Sequence, residues 1–138
     1  MGNESLKLLL DTHVWIWAFE GNDSLGVRCG RFLRDKSSER WVSPVSTLEI
    51  ARLVERGHLE LACPISEWVA RSMVALQMRT IFIDHAIAME AYGLSRGFHG
   101  DPADRMLVAT ARLHDCHLVT ADRRILACQE VRSLSAEK

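Results

Sequence analysis

The sequence predicts an α/β fold of three layers, with helices over both faces of a central parallel sheet of four or five strands. Two observations predict it. Short apolar runs alternate with segments of helical period along the whole chain. The first of these runs, Leu6–Leu10, is interrupted only by Lys7 and closed by Asp11, which suits a strand buried on both faces. Crossovers between parallel strands are right-handed. Ligands of such open sheets sit beyond the carboxyl ends of the strands.

Leu6–Leu10 is the first expected strand, and Val14, Trp15, Ile16, Ala18 and Phe19 make a buried helix of Thr12–Phe19. Gly21-Asn22-Asp23-Ser24 is turn chemistry, with Ser24 placed to cap a helix running to about Lys36. Trp41–Ser43 is a second strand, stopped by Pro44, and Val45–Arg56 is a helix with Gly57 as its C′ residue. Ile65–Leu76 is helical, Thr80–Ile83 is a third strand, and Asp84 caps His85–Leu94. A loop over Gly97–Gly100 leads to a helix opened by Asp101-Pro102 and ending near His114. His117–Thr120 is the fourth strand, Asp122 starts a short helix, and Val131–Leu134 is a fifth strand.

The 138 residues suit one domain spanning 1–138, without repeats or low-complexity linkers. Hydrophobic residues at 48% and charged residues at 25% are a globular balance, which excludes a disordered tail protein. The net charge of −1 supplies no global field for nucleic acid, so such a partner must be held by local contacts or bound cations. Cys29, Cys63, Cys116 and Cys128 form no C-x-x-C pair and read as reduced thiols, which suits a cytoplasmic location. Leu6–Leu10 is too short for an export signal or a membrane span.

Four carboxylates stand where the sheet's carboxyl edge is expected. Asp11 follows the first strand and Asp122 the fourth, while Glu49 and Asp104 lie near the starts of helices. Carboxylates gathered in one place repel, and a hard divalent cation relieves that repulsion. Each also has a plainer role available. Asp11 and Asp122 suit helix N-caps. Asp104 suits the N3 position of a cap built on Asp101 and Pro102. Glu49 suits a solvent-facing helix position, although its neighbours Leu48, Ile50 and Ala51 are apolar.

Four stretches then carry a resemblance. Leu8-Leu9-Leu10-Asp11-Thr12-His13-Val14 resembles the opening motif of VapC-type PIN domains. Val42-Ser43-Pro44-Val45-Ser46-Thr47-Leu48-Glu49-Ile50-Ala51, with Gly57-His58-Leu59 after it, resembles their second motif. Gly100-Asp101-Pro102-Ala103-Asp104-Arg105-Met106-Leu107-Val108-Ala109-Thr110-Ala111 resembles the third, and Leu118-Val119-Thr120-Ala121-Asp122 the last. The order is right and nearly the whole chain is covered. Leu53 departs from the pattern, since many relatives carry a lysine four residues after the motif glutamate.

The resemblance implies a PIN-like α/β/α fold and a Mg²⁺- or Mn²⁺-dependent endoribonuclease, the toxin of a VapBC-type toxin–antitoxin system. It implies Asp11, Glu49, Asp104 and Asp122 as the catalytic and metal-binding residues, with Thr12 and Thr120 as supporting hydroxyls. It implies a VapB-type antitoxin partner and a homodimer. Arg96, Arg105, Arg112, Arg123 and Arg124 are candidates to grip RNA, and Arg105, next to Asp104, is placed at the rim of the site. Each arginine also suits a solvated face or a surface ion pair. Asp101 is a cap first and an outer ligand second.

Two competing functions remain: a binding module within a DNA-bound toxin–antitoxin repressor, and a metal-dependent DNA nuclease. No G-x-S-x-G surrounds any serine, so His13 and Ser46 do not make a hydrolase pair. The spacing of His114, His117, Cys116 and Cys128 matches no structural zinc pattern. Trp15 and Trp17 cannot share one side of a helix, which sends one of them to the core and offers the other to an interface.

Overall fold

The computed structural model describes residues 6–95, 98 and 100–137. Arg96 and part of the expected Gly97–Gly100 loop lie outside the described residues. Leu8, Leu9 and Leu10 are almost wholly removed from water in strand β1 (Lys7–Leu10). Each such leucine contributes roughly 1.5–3 kcal/mol by its burial. Helix α1 (Thr12–Glu20) starts at once, because Asp11 has extended backbone and its carboxylate accepts from Thr12 N. It ends at Gly21, whose left-handed φ of 69° turns the chain so that Asn22 N donates to Trp17 O at 3.0 Å.

The chain continues through α2 (Val27–Arg34), β2 (Glu39–Val42), α3 (Pro44–Glu55), α4 (Ile65–Ala75), β3 (Met78–Thr80) and α5 (His85–Ala91). It closes with α6 (Pro102–Leu113), β4 (His117–Thr120), α7 (Arg123–Leu126) and β5 (Ser133–Ser135). The strands form one five-stranded sheet in the order β3-β2-β1-β4-β5, and every pairing is parallel. The chain first builds outward from β1 to β3, then returns to lay β4 on the other side of β1. That reversal opens the space beyond the carboxyl ends of β1 and β4.

Two apolar clusters lie on opposite faces of the sheet. Leu9 and Leu118 point into one, with Ile87, Leu107, Val108 and Ile125 from the helices. Leu8, Leu10 and Val119 point into the other, with Trp15, Leu33, Ile50 and Trp68. The expected three-layer α/β/α architecture is therefore present. Trp15 is fully buried, its ring centre 5.5 Å from that of Trp68 and tilted 42° to it, and donates from Nε1 to Ser72 Oγ at 2.9 Å. Trp17 is half-buried beside the exposed His13. Among the described residues, no helix is long and apolar enough to cross a membrane.

Several boundaries differ from the sequence expectation, for local reasons. β2 starts at Glu39 and ends before Ser43, because Ser43 caps α3 by accepting from Val45 N. β3 is Met78–Thr80 rather than Thr80–Ile83, since Gln77 turns the chain with φ 51° and Ile81 N makes a last bond to Val42 O. Ser24 does not cap α2, which starts after Gly26; Asn22 Oδ1 accepts from Ser24 N in a turn instead. α2 stops at Arg34 because Asp35 makes its own turn with Ser37. α4 ends at Ala75, α5 at Ala91 and α6 at Leu113, each short of the expected end. β5 is Ser133–Ser135, starting two residues later than expected and ending one later, set by the pairing of Ser133 with Leu118.

Candidate active site

Asp11 is the residue at which β1 becomes α1. Its N–H still belongs to the sheet, donating to Val119 O at 3.0 Å. Its side chain has two partners. Oδ1 accepts from Thr12 N at 2.7 Å, and Oδ2 accepts from Thr120 Oγ1 at 2.6 Å. The Thr120 oxygen in turn accepts from Asp122 N at 3.0 Å. Thr120, fully buried at the end of β4, thus ties together the two aspartates that leave adjacent strands.

Asp122 is the N-cap of α7, accepting from Arg124 N at 2.8 Å and pairing with the Arg124 guanidinium at 3.3 Å. Burial alone would raise its pKa. The Arg124 side chain and the N–H groups of Arg124 and Ile125 outweigh that and hold the carboxyl below the usual range.

Glu49 lies in the second turn of α3, three residues beyond Ser46 and on the same face. Its Oε1 is 2.6 Å from Thr12 Oγ1, which is also 3.0 Å from Ser46 Oγ. Burial raises the Glu49 pKa; the Thr12 hydroxyl lowers it, and the charges of Asp11, Asp104 and Asp101 push it up again. Three other carboxylates are therefore felt at Glu49. Asp104 is buried in the first turn of α6. Asp101 caps that helix, accepting from Ala103 N at 2.9 Å.

The plainer roles are thus filled. Asp11, Asp101 and Asp122 are all caps, yet Asp11, Asp101 and Asp104 also load negative charge onto Glu49. Among the described residues, no three His, Cys, Asp or Glu side chains close on one point tightly enough, as they stand, to hold an ion. The fit to a cation is one of donor chemistry. The donors are hard carboxylate oxygens, the set that Mg²⁺-like ions favour. Their net charge is negative and one member is already pushed toward protonation, the conflict that a cation removes.

Arg105 does not reach outward. Its Nη1 donates to Ala91 O at 3.1 Å and its Nη2 to Phe98 O at 3.2 Å. The guanidinium lies 5.1 Å from the Tyr92 ring centre and 5.6 Å from that of Phe98. The sequence offers it as a candidate RNA contact; here two of its donors serve the last residue of α5 and Phe98. Arg112 is paired with Glu90. Arg123 and Arg124 are exposed, and Arg124 lines a cavity of about 740 Å³ with Ser95, Phe98, Cys128 and Glu130. Ser46 is a polar group whose place sequence reasoning missed. Its signal was only the i, i+3 spacing to Glu49.

A family model described as "PIN domain" matches residues 8–130. The chain is 34% identical over 128 residues to Ribonuclease VapC22 of Mycobacterium tuberculosis (strain ATCC 25618 / H37Rv), across 93% of this chain and 96% of that protein. In fold it is similar to VapBC2 from Rickettsia felis, solved bound to a DNA fragment from their promoter. That match has a TM-score of 0.69 and 12% identity, over 94% of this chain and 98% of the other. It is also similar to a toxin–antitoxin complex from Klebsiella pneumoniae, with a TM-score of 0.65 and 19% identity over 95% and 98%.

Proposed function

The chain belongs to the PIN-domain family, and from that premise we propose that it is a Mg²⁺- or Mn²⁺-dependent endoribonuclease, the toxin of a VapBC-type toxin–antitoxin pair. The observation that carries the proposal is the meeting of Asp11 and Glu49 at Thr12, whose N–H donates to Asp11 Oδ1 at 2.7 Å and whose hydroxyl lies 2.6 Å from Glu49 Oε1, with Asp104 and Asp101 near enough to act on Glu49. The similarity to a named ribonuclease over most of both chains supports RNA as the substrate class.

Asp11, Glu49 and Asp104 would hold the cation, and Asp122 would complete the site or hold a second ion. A bound divalent ion lowers the pKa of its water to supply the nucleophile and offsets charge developing on the phosphate. The chain's own work is orientation. Thr120 holds the Asp11 carboxylate from one side and Thr12 N–H from the other, so that side chain enters the reaction already aimed. Thr12 does the same for Glu49. Arg123 and Arg124, exposed beside Asp122, offer phosphate contacts along the rim. Arg105 holds the chain that leads into Asp101 and Asp104.

A VapB-type antitoxin, a homodimer, a single domain over 1–138 and a cytoplasmic location belong to the same proposal. Four free cysteines support the last of these.

The test is cleavage of RNA and of DNA by purified protein, with Mg²⁺ or Mn²⁺ and with chelator, beside Asp11→Asn. Asn keeps the helix cap but loses the charge. The expected result is metal-dependent RNA cleavage that falls by about 100-fold or more in the variant, the scale of losing one electrostatic stabiliser of a transition state. Cleavage that survives chelation, or an Asp11→Asn protein of full activity, would overturn it. Cleavage of DNA alone would favour the DNA nuclease instead.

A further inference from the structure

The hydroxyls of Thr12 and Ser46 obey a simple count. Each holds one hydrogen and can accept through two lone pairs. Thr12 Oγ1 has two neighbours, Glu49 Oε1 at 2.6 Å and Ser46 Oγ at 3.0 Å. Its single hydrogen can serve only one of them. An ionised carboxylate can only accept, so in the form that binds a cation Glu49 takes the Thr12 hydrogen. The bond between Thr12 and Ser46 is then made by the Ser46 hydrogen.

Ser46 is fully buried, and among the described residues its hydroxyl has no partner but Thr12. Glu49 Oε2 has no hydrogen-bond donor among the described residues, which leaves it as the oxygen free for a ligand. We infer that Ser46 is a positioning residue, whose hydroxyl donates to Thr12 Oγ1 and thereby commits the Thr12 hydrogen to Glu49 Oε1.

The chain Ser46 to Thr12 to Glu49 spans α1 and α3, and each donor polarises the next. It fixes the carboxylate while spending one of its oxygens only. This assignment rests on the proposed function, in which Glu49 is a cation ligand.

The test is Mn²⁺ binding by the whole chain, read by electron paramagnetic resonance, with melting temperatures in chelator as the control for folding. Ser46→Ala, Thr12→Val and the double variant are compared with wild type. Ser46→Ala is expected to weaken Mn²⁺ binding about 10-fold, the usual scale for losing a group that orients a ligand. Ser46→Thr, which keeps the hydroxyl, is expected to restore most of it. In the Thr12→Val background, Ser46→Ala is expected to add nothing, because Ser46 acts only through Thr12.

Wild-type Mn²⁺ binding that Ser46→Ala leaves within twofold overturns the assignment and spares the metal proposal. Additive losses in the double variant overturn it too. A wild-type chain that binds no Mn²⁺ brings down the metal proposal, and the role of Ser46 with it.

Discussion

Thr120 Oγ1 stands 2.6 Å from Asp11 Oδ2, though 109 positions of chain separate the two residues. The same oxygen accepts from Asp122 N at 3.0 Å. One buried hydroxyl therefore couples the ends of β1 and β4, the pair of strands where the chain reverses its direction of building. Thr120→Val keeps the shape and removes both bonds. It is expected to cost about 2 kcal/mol, since a bond to a charged acceptor is lost and a backbone donor is left without its partner. Urea unfolding measures the loss. A Thr120→Val protein as stable as wild type would mean that the contact is incidental.

Glu49 carries a testable pH signature. Burial, with the charges of Asp11, Asp104 and Asp101 behind it, holds its pKa above the ordinary value in the folded chain. Such a carboxyl favours the fold while protonated, and that contribution is lost as pH rises through the folded-state pKa. In chelator at pH 7, Glu49→Gln is thus expected to melt higher than wild type, by a margin that solvent screening of this half-exposed carboxyl keeps small. The gap should close as pH falls and Glu49 itself takes up a proton. Scanning calorimetry at several pH values decides this, and a Glu49→Gln protein that melts lower at pH 7 would count against the crowding of charge.

Arg105 separates two roles by one substitution. A lysine keeps the positive charge but cannot present the fork that serves Ala91 O and Phe98 O together. Arg105→Lys is expected to lower stability by about 1–2 kcal/mol, for the two carbonyl bonds disturbed. It should leave the affinity of an Asp11→Asn protein for RNA within about threefold. The reverse pattern, unchanged melting and lost RNA affinity, would return Arg105 to the substrate.

The cysteines differ in reach. Burial pushes the Cys29 thiol up to about 11, and burial likewise raises Cys116. Cys63 and Cys128 are half-exposed. With a thiol-reactive dye at pH 8, two cysteines are expected to react quickly in the native chain and all four in denaturant. Rapid labelling of Cys29 in the native state would contradict its place on the buried face of α2.

Much of this was legible in one dimension. Leu8-Leu9-Leu10-Asp11 already says that a strand buried on both faces stops at a carboxylate, because apolar runs and caps are local physics. Three of the boundaries that slipped, at Ser24, Thr80 and Val131, lie where a partner strand or a competing turn chose the end. Propensity does not see the neighbour that completes a ladder.

Residue type and spacing along the chain were enough for the alternation of elements, the parallel sheet, and carboxylates just past strand ends or near helix starts. Tertiary structure alone decided which groups those acids meet. It turned Arg105 inward to backbone carbonyls, gave Thr120 to Asp11, and set Ser46 behind Thr12 and Glu49. Hydrogen bonds reach about 3 Å, and only a folded chain brings residues from separate elements within that distance.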